Sequence, residues 1–288
     1  MSVAGGKGGT GKTLLATSLA LVGKAWQTGA VTLVDCDVEA PNAHLLLRPE
    51  WLSHQTVTVS VPRVDACLCA GCGKCAEACQ TSAIAVIRGV VVTFPGLCSG
   101  CGACSYVCPL GAIVEEPHGV GTVSCGTSPE GVRVVSGRLR VGYARSPVVI
   151  DAARSHVVTG ALTVVDAPPG TACPMQRAVE ATDFCVMVTE PTPFGCSDLA
   201  LAIETCRELE VPCGVVVNRD GIGSARVEDV CERYGVPILL RIPHSREIAA
   251  AYADGRCLVS TFPEWRGPLD GLLDEIERQV SAARACAH

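Results

Sequence analysis

The sequence contains no run of apolar residues close to the roughly 20 that a helix needs to cross a bilayer. Its apolar residues make up 48% of the chain but are spread over many short segments. We therefore expect no transmembrane segment. An apolar leader is also missing, because Met1 is followed almost at once by a glycine-rich loop. On this basis we expect a cytoplasmic protein whose 19 cysteines are reduced.

The chain also lacks an excess of basic residues. Its 23 Lys and Arg are outnumbered by 29 Asp and Glu, and the formal net charge is -6. Binding to a nucleic-acid backbone depends on clustered Lys and Arg side chains. We therefore expect no nucleic-acid partner.

Short apolar runs do recur, and most of them are separated by segments long enough to form a helix. The runs cover residues 31–34, 162–165, 185–188, 213–217 and 237–242, and the predicted helices cover 13–26, 197–210, 224–234, 245–254 and 268–285. This alternation is typical of buried parallel strands joined by crossover helices. We therefore predict an α/β fold with a doubly wound, mostly parallel sheet.

The alternation stops between about residues 55 and 148, where cysteines are followed by a Gly- and Val-rich stretch that predicts hairpins. A length of 288 residues allows one α/β domain of about 200 to 250 residues and one small insert. We predict that residues 1–56 and 148–288 form the α/β domain. Residues 57–116 would form a small α+β insert, and residues 117–147 a β-rich connecting segment.

The glycine-rich loop GGKGGTGKT spans residues 5–13 and has the Walker A spacing. In such a loop the backbone N–H groups close around phosphates, Lys12 reaches the outer phosphates and the Thr13 hydroxyl binds Mg²⁺. The loop also follows a short apolar strand and opens a predicted helix, as this motif requires. The predicted nucleotide-binding residues of the loop are Gly6, Gly8, Gly9, Thr10, Gly11, Lys12 and Thr13.

Eight of the cysteines form a repeat with a constant offset of 29 residues. They are Cys69, Cys72, Cys75 and Cys79, followed by Cys98, Cys101, Cys104 and Cys108. The same offset carries Ala83-Ile84 onto Ala112-Ile113. Matching spacings and a matching apolar pair indicate an internal repeat rather than scattered cysteines.

The spacing C-x2-C-x2-C can bind three corners of one 4Fe-4S cluster, and the fourth cysteine then binds the other cluster of a two-cluster ferredoxin. We predict two crossed ligand sets, one of Cys69, Cys72, Cys75 and Cys108, the other of Cys98, Cys101, Cys104 and Cys79. Zinc is the alternative, but the regular repeat and the Cys108-Pro109 pair favour iron-sulfur clusters. Gln80 stands where the first repeat would carry a proline, and Cys67 lies outside the spacing.

Further motifs accompany the Walker A loop and the cysteine repeat. Lys7 is a second lysine within the loop, and the segments VDCD (residues 34–37) and VVDAPPGT (residues 164–171) lie at predicted strand ends. Together with Asn218, the segment TEPTPFG (residues 189–195) and the inserted cysteines, they make the chain resemble the MinD and Mrp superfamily of P-loop ATPases. The resemblance is to members with a deviant Walker A loop and an inserted ferredoxin domain, and it covers essentially the whole chain.

The resemblance implies roles for three catalytic residues. Lys7 would reach the phosphates of the ATP held by the other subunit of an ATP-dependent homodimer. It would there compensate charge that develops during phosphoryl transfer. Lys12 would act on the ATP of its own subunit, and Asp37 would orient the attacking water.

The resemblance also implies that Asp166 holds Mg²⁺ through its water shell, that Gly170 offers an N–H near the γ-phosphate, and that Asn218 contacts the base. Asp35 has two open interpretations, a direct role at Mg²⁺ or the ordering of the first switch. Cys173 follows the second switch, where it is either a structural thiol or a metal or cluster ligand shared across a dimer.

The implied function is ATP hydrolysis coupled to electron transfer, or to metal or iron-sulfur cluster assembly on a redox or metallocluster-bearing protein partner. The implied cofactors are ATP, Mg²⁺ and two 4Fe-4S clusters. The alternative is an ATP-dependent spatial or regulatory switch whose clusters are structural or sense redox state. ATP-dependent amidation ranks last, because 288 residues leave no room for a glutaminase segment.

Overall fold

The computed structural model describes residues 1–26, 29–158, 160–223 and 225–286. Across these residues the strands are β1 (Ser2–Ala4), β2 (Val31–Asp35), β3 (Glu50–Val64), β4 (Ile84–Ile87), β5 (Val90–Thr93), β6 (Ile113–Thr127), β7 (Arg133–Leu139), β8 (Leu162–Asp166), β9 (Cys185–Thr189), β10 (Cys213–Asp220) and β11 (Ile238–Pro243). The helices are α1 (Lys12–Trp26), α2 (Ala43–Leu47), α3 (Lys74–Ala78), α4 (Ala103–Tyr106), α5 (Ser146–Arg154), α6 (Cys173–Val179), α7 (Pro193–Glu208), α8 (Val227–Tyr234), α9 (Arg246–Ala253), α10 (Leu258–Thr261) and α11 (Arg266–Cys286).

Nine strands form one sheet in the order β11-β10-β9-β1-β8-β2-β7-β6-β3. The pairs from β11 to β7 are parallel, whereas β6 pairs antiparallel with both β7 and β3. The predicted α/β fold with a mostly parallel, doubly wound sheet is therefore confirmed. The five predicted strands match β2, β8, β9, β10 and β11 to within a few residues. The predicted start of α8 at Ser224 lies outside the described residues.

Helices cover both faces of this sheet and bury two apolar cores. One core joins α1, including Leu15 and Leu19, to Leu269 of α11. The other includes Met175 of α6 and Ile203 of α7. Because β1, β2 and β9 are buried along their whole length, they consist mainly of Val and other apolar residues, as a sheet covered on both faces requires.

A long antiparallel ribbon extends one side of the sheet. Its strands β3 and β6 have 15 residues each and pair from Glu50 opposite Thr127 to Val64 opposite Ile113. Only its first part lies beside the parallel strands, since β6 pairs with β7 from Gly121 onward. The sequence-based domain boundaries at 57 and 117 fall inside β3 and β6, so the ribbon contains residues of all three predicted parts of the chain.

The cysteines lie between the two ribbon strands, in a segment that we call the cysteine module (residues 65–112). Its helices α3 and α4 begin at Lys74 and Ala103, which are 29 residues apart. Each helix follows a glycine in the left-handed region, Gly73 with φ 84° and Gly102 with φ 72°. The sequence repeat is therefore also a repeat of backbone conformation.

The strand pairs of the module follow the same offset. Ile84 of β4 pairs with Thr93 of β5 in the position where Val64 pairs with Ile113 in the ribbon. A backbone hydrogen bond extends each strand pair, because the Asp65 N–H donates to the Ala112 carbonyl and the Phe94 N–H donates to the Ala83 carbonyl, both over 2.8 Å. The end of the ribbon and the β4–β5 hairpin are therefore equivalent parts of the repeat.

Candidate functional site

The cysteine module contains two small, partly open cavities. The first is lined by Cys69, Cys72, Cys75 and Cys108, and the second by Cys98, Cys101, Cys104 and Cys79. Each set takes three cysteines from one repeat and the last cysteine from the other. The two groupings coincide with the ligand sets predicted from the C-x2-C-x2-C spacing.

Backbone N–H groups point at the sulfur atoms of these cavities. Ala83 N lies 3.2 Å from Cys79 Sγ, Ala112 N lies 3.3 Å from Cys108 Sγ, and Gly100 N lies 3.4 Å from Cys98 Sγ. The described cysteines are all free thiols. An N–H donor directed at sulfur stabilises a thiolate, and such bonds tune the potential of bound clusters.

The geometry bears on which metal group the thiols suit. Among the described residues, no three or more His, Cys, Asp or Glu side chains converge on a point where they could hold one metal ion. Four thiols around one cavity supply the number and kind of donors that a 4Fe-4S cluster takes, and zinc also binds four thiolates. The iron-sulfur clusters and the zinc alternative both stay predictions.

The phosphate-binding loop joins β1 to α1. The buried ammonium of Lys12 donates a hydrogen bond of 2.7 Å to the carbonyl oxygen of Lys7. Burial lowers the pKa of Lys12, and the nearby carboxylates of Asp166 and Asp37 oppose that shift. The lysine is thus folded back onto its own loop, where phosphate oxygens would replace the carbonyl as its partner.

Asp35 ends β2 and is fully buried. Its carboxylate accepts hydrogen bonds from the backbone N–H groups of Asp37 at 3.1 Å, Asn42 at 3.0 Å and Ala43 at 3.0 Å. Burial and the adjacent Asp166 carboxylate raise the pKa of Asp35 well above its usual value. Of its two open interpretations, this geometry favours the ordering of the first switch loop, which we define as residues 36–42.

Asp166 ends the neighbouring strand β8 and has a different environment. It is buried, and neither carboxylate oxygen has a hydrogen-bond partner among the described residues. Burial raises the pKa of Asp166 to about 7. The nearby Thr13 hydroxyl and the positive charge of Lys12 favour the ionised form and partly offset this rise. A buried carboxylate without partners is costly, and a hydrated cation would satisfy it. Asp166 and Thr13 are therefore the residues that fit Mg²⁺.

Lys7 is held by its own chain. Its ammonium lies 3.1 Å from Oε2 of Glu190, while Nη1 of Arg219 donates to Oε1 of the same carboxylate over 2.7 Å. The Glu190 side chain is only 8% exposed, against 36% for Lys7. One buried carboxylate therefore joins the phosphate-binding loop to the residue after Asn218.

An open cavity of about 190 Å³ lies beside the loop. The predicted residues that line it are Gly8, Gly9, Gly11, Lys12, Thr13, Asp37 and Asn218. The side-chain amide of Asn218 donates to the Thr10 carbonyl over 2.7 Å and packs against Gly11. Gly6 packs against Asp198 of α7 instead.

Residues 1–259 match the family described as the CobQ/CobB/MinD/ParA nucleotide binding domain, CbiA. The chain belongs to this family. The MinD/ParA proteins of the family are P-loop ATPases, and the phosphate-binding loop of this chain borders the cavity described above, which we call the nucleotide cavity.

Two relatives and one solved structure illustrate the match. The uncharacterized protein MJ0579 of Methanocaldococcus jannaschii is 28% identical over 261 residues, covering 88% of this chain and 89% of the relative. The uncharacterized protein MJ0578 of the same organism is 33% identical over 229 residues, covering 78% and 79%. The septum site-determining protein MinD from Pyrococcus horikoshii, solved with Mg-ADP, has a TM-score of 0.58 at 18% identity, covering 96% of this chain and 95% of that one. The last likeness shows the fold alone.

Sequence reasoning missed one side of the nucleotide site of this CbiA-family chain. Arg219, Pro243, His244, Ser245, Ile248 and Tyr252 also line the cavity. Most of them lie at the end of β11 or in α9, and they form no recognisable motif. Their position could have been predicted only from the sheet topology, because ligands in such sheets bind at the carboxyl ends of the strands.

Two residues discussed from the sequence, Gly170 and Cys173, do not line this cavity. The Gly170 N–H donates to the carbonyl oxygen of Gly5 over 3.3 Å, so a contact with a γ-phosphate would require that bond to open. Cys173 is exposed at the start of α6. Its two interpretations both stay predictions.

Among the residues that the structure describes, no helix is long and apolar enough to cross a membrane.

Proposed function

We propose that this CbiA-family protein couples ATP binding and hydrolysis to a two-cluster iron-sulfur module that transfers electrons to, or assembles a metal or iron-sulfur cluster on, a protein partner. One observation carries the proposal. The two cavities lined by four cysteines each lie at the end of a ribbon whose strand β6 is hydrogen-bonded into the nucleotide-binding sheet through β7. The sheet that borders the nucleotide cavity thus continues through β7 into the ribbon that carries the cysteine module.

The nucleotide half of the proposal rests on charge placement. Lys12 and Thr13 lie at the start of α1, and the unpartnered Asp166 carboxylate is available for a hydrated Mg²⁺. Asp37 lines the same cavity and is half-buried, as suits a residue that orients the attacking water. Lys7 would leave Glu190 to reach the ATP of a second subunit, so we propose an ATP-dependent homodimer.

The redox half rests on the thiol sets and their donors. Bound 4Fe-4S clusters would supply one-electron transfer. The protein's part is to hold four thiolates around each cavity and to direct N–H groups at their sulfur atoms. Leu68 and Leu97, each preceding the first cysteine of its repeat, are both 52% exposed. Such apolar side chains next to the ligands support docking of a protein partner at the module.

Coupling is tested by measuring nucleotide affinity in two redox states. Anaerobically purified protein is titrated with a non-hydrolysable ATP analogue, once oxidised and once reduced with dithionite. The proposal predicts different affinities, because a ligand that changes the cluster potential must bind the two redox states differently. Equal affinities, with both clusters present, would reject coupling and favour the switch with structural clusters.

A further inference from the structure

We infer that the first switch loop controls the second cysteine cavity, lined by Cys98, Cys101, Cys104 and Cys79, through the loop between β7 and α5. We call residues 140–145 the β7–α5 loop. This inference rests on the proposed function, since it names the route by which nucleotide state would reach the clusters. It assigns positioning roles to Glu39, Arg145 and Ser146.

The first part of the route joins the switch loop to β7 and α5. The Leu139 N–H donates to the carbonyl oxygen of Val38 over 2.7 Å. The Ser146 hydroxyl donates to Oε1 of Glu39, also over 2.7 Å. Val38 and Ser146 are both buried. Val38 and Glu39 directly follow Asp37, which lines the nucleotide cavity. A movement of the switch loop therefore acts on both ends of the β7–α5 loop.

Glu39 also matters to α5 as an anionic group. Ser146 is the first residue of α5 and Pro147 the second, so the Glu39 carboxylate lies near a helix N-terminus. A negative charge there is favourable, because the first N–H groups of a helix carry partial positive charge. The first turn of α5 is thereby tied to the side chain of a switch residue.

The second part of the route joins the β7–α5 loop to the cysteine module. Nη2 of Arg145 donates to the carbonyl oxygen of Leu97 over 3.4 Å, directly before Cys98. The Gly142 carbonyl comes so close to Gly96 that a Cβ there would lie 3.2 Å from it. Both contacts fall on the strand-free segment that carries the first cysteine of the second repeat.

The β7–α5 loop is itself fastened to the ribbon. The Tyr143 hydroxyl and Nε2 of His118 are 2.5 Å apart, and the Arg140 guanidinium lies 5.4 Å from the centre of the Tyr143 ring. The backbone N–H of Arg140 also donates a hydrogen bond to the carbonyl oxygen of Val120 over 2.9 Å. These contacts hold the β7–α5 loop in place, so that a displacement of the first switch loop is passed on to the cysteine module.

The two halves of the module differ at this point. Gly100, in the second repeat, lies against the ribbon backbone at Ser60, whereas the equivalent Gly71 lies against Gly89 inside the module. Gly100 also donates its N–H to Cys98 Sγ. A shift of the segment from Gly96 to Gly100 would change that N–H···S bond, and with it the electrostatics of the second cavity. The first cavity is predicted to respond less.

The test uses full-length, anaerobically purified protein and three variants. Ser146→Ala and Arg145→Ala each remove one side-chain donor of the route. Ser155→Ala is the control, because Ser155 lies beside the other end of α5 and its hydroxyl donates locally to the Ala152 carbonyl. Hydrogen-deuterium exchange of residues 94–104 and the two cluster potentials are measured with and without a non-hydrolysable ATP analogue.

In the wild type and in Ser155→Ala we expect the analogue to change exchange in residues 94–104 and to shift one potential more than the other. In Ser146→Ala and Arg145→Ala both responses should be lost, while the analogue still binds. If either variant keeps both responses, the route is wrong and the proposed function stands. If the wild type itself shows no response in either measurement, the proposed coupling fails together with the route.

Discussion

Glu190 is the residue on which the resting position of Lys7 depends. Its buried carboxylate accepts from Lys7 on one oxygen and from Arg219 on the other. Removing one member of a buried charge pair leaves the others without a partner, but here both cations are partly exposed and can be hydrated. Loss of the Glu190 charge therefore mainly releases Lys7.

We predict that Glu190→Gln lowers the protein concentration at which a non-hydrolysable ATP analogue produces a dimer. The released Lys7 no longer has to leave an ion pair before it reaches the second subunit. Glu180→Gln is the control, since Glu180 makes an exposed ion pair with Arg177. Sedimentation velocity across a concentration series measures the effect. A dimer that is equally stable or weaker in Glu190→Gln would contradict the account.

The neighbouring carboxylates of Asp35 and Asp166 differ in their hydrogen-bond partners. Three backbone N–H groups donate to Asp35, whereas the Asp166 oxygens have no hydrogen-bond partner within the described ranges. Neutral substitutions at the two positions should consequently have opposite effects on stability, although both residues end adjacent parallel strands.

We predict that Asp166→Asn raises the melting temperature of nucleotide-free protein, because it removes an unpartnered buried charge. It should also abolish the extra stabilisation that Mg²⁺ gives on top of ATP. Asp35→Asn should destabilise by about 1–3 kcal/mol, since N–H groups of the switch loop lose their acceptor. Thermal melts with EDTA and with Mg²⁺ distinguish the two. A lower melting temperature for metal-free Asp166→Asn would contradict the assignment.

At the scale of elements, the parallel core and its helices could be predicted because their signals are local. Apolar runs such as 185–188 are short, bounded by turns and separated by helix-length segments, and β9 spans Cys185–Thr189. The ribbon could not be delimited in this way. Most of residues 50–56 at the start of β3 are exposed, and its pairing with β6 joins residues 49 to 77 positions apart.

The same contrast holds for the sites. Loop spacing and cysteine spacing identified residues that line the cavities, because each motif places its chemistry within a few positions. Glu190 and the His244 side of the nucleotide cavity were missed as functional residues. They come together only through the order of the strands, which a single sequence does not display. The position of the β7–α5 loop between switch and module is likewise a tertiary contact.

The crossed cysteine sets give a prediction for the repeat as an element. Cys108→Ser should disrupt the cluster held by the first repeat, because Cys108 lines the cavity of Cys69, Cys72 and Cys75. Iron content should then fall by about half, since each cluster takes one cysteine from the opposite repeat. Cys67→Ser is the control, as this exposed thiol belongs to neither set.

Iron analysis and EPR of the reduced protein read out this experiment. Loss of one signal in Cys108→Ser and of the other in Cys79→Ser, with both retained in Cys67→Ser, would support the crossed sets. Iron content unchanged by both Cys108→Ser and Cys79→Ser would contradict them.

At the scale of the whole molecule, the strands that border the nucleotide cavity and the ribbon that carries the cysteine module belong to one nine-stranded sheet. β2 carries Asp35 to the switch loop and pairs with β7, β7 pairs with β6, and β6 with β3 forms the ribbon that holds the module. Such continuity gives a physical basis for coupling, provided that the switch loop has two arrangements that ATP distinguishes. A module attached by a flexible linker would lack that basis.

The central claim is tested most directly by an EPR-monitored redox titration of anaerobic protein, with and without a non-hydrolysable ATP analogue, on wild type and on Lys12→Ala. The account predicts two 4Fe-4S signals, with a potential that shifts on addition of the analogue in the wild type and does not shift in Lys12→Ala. Two signals whose potentials are the same with and without the analogue in the wild type would contradict coupling, and the absence of any iron-sulfur signal would contradict the assignment of the cysteines.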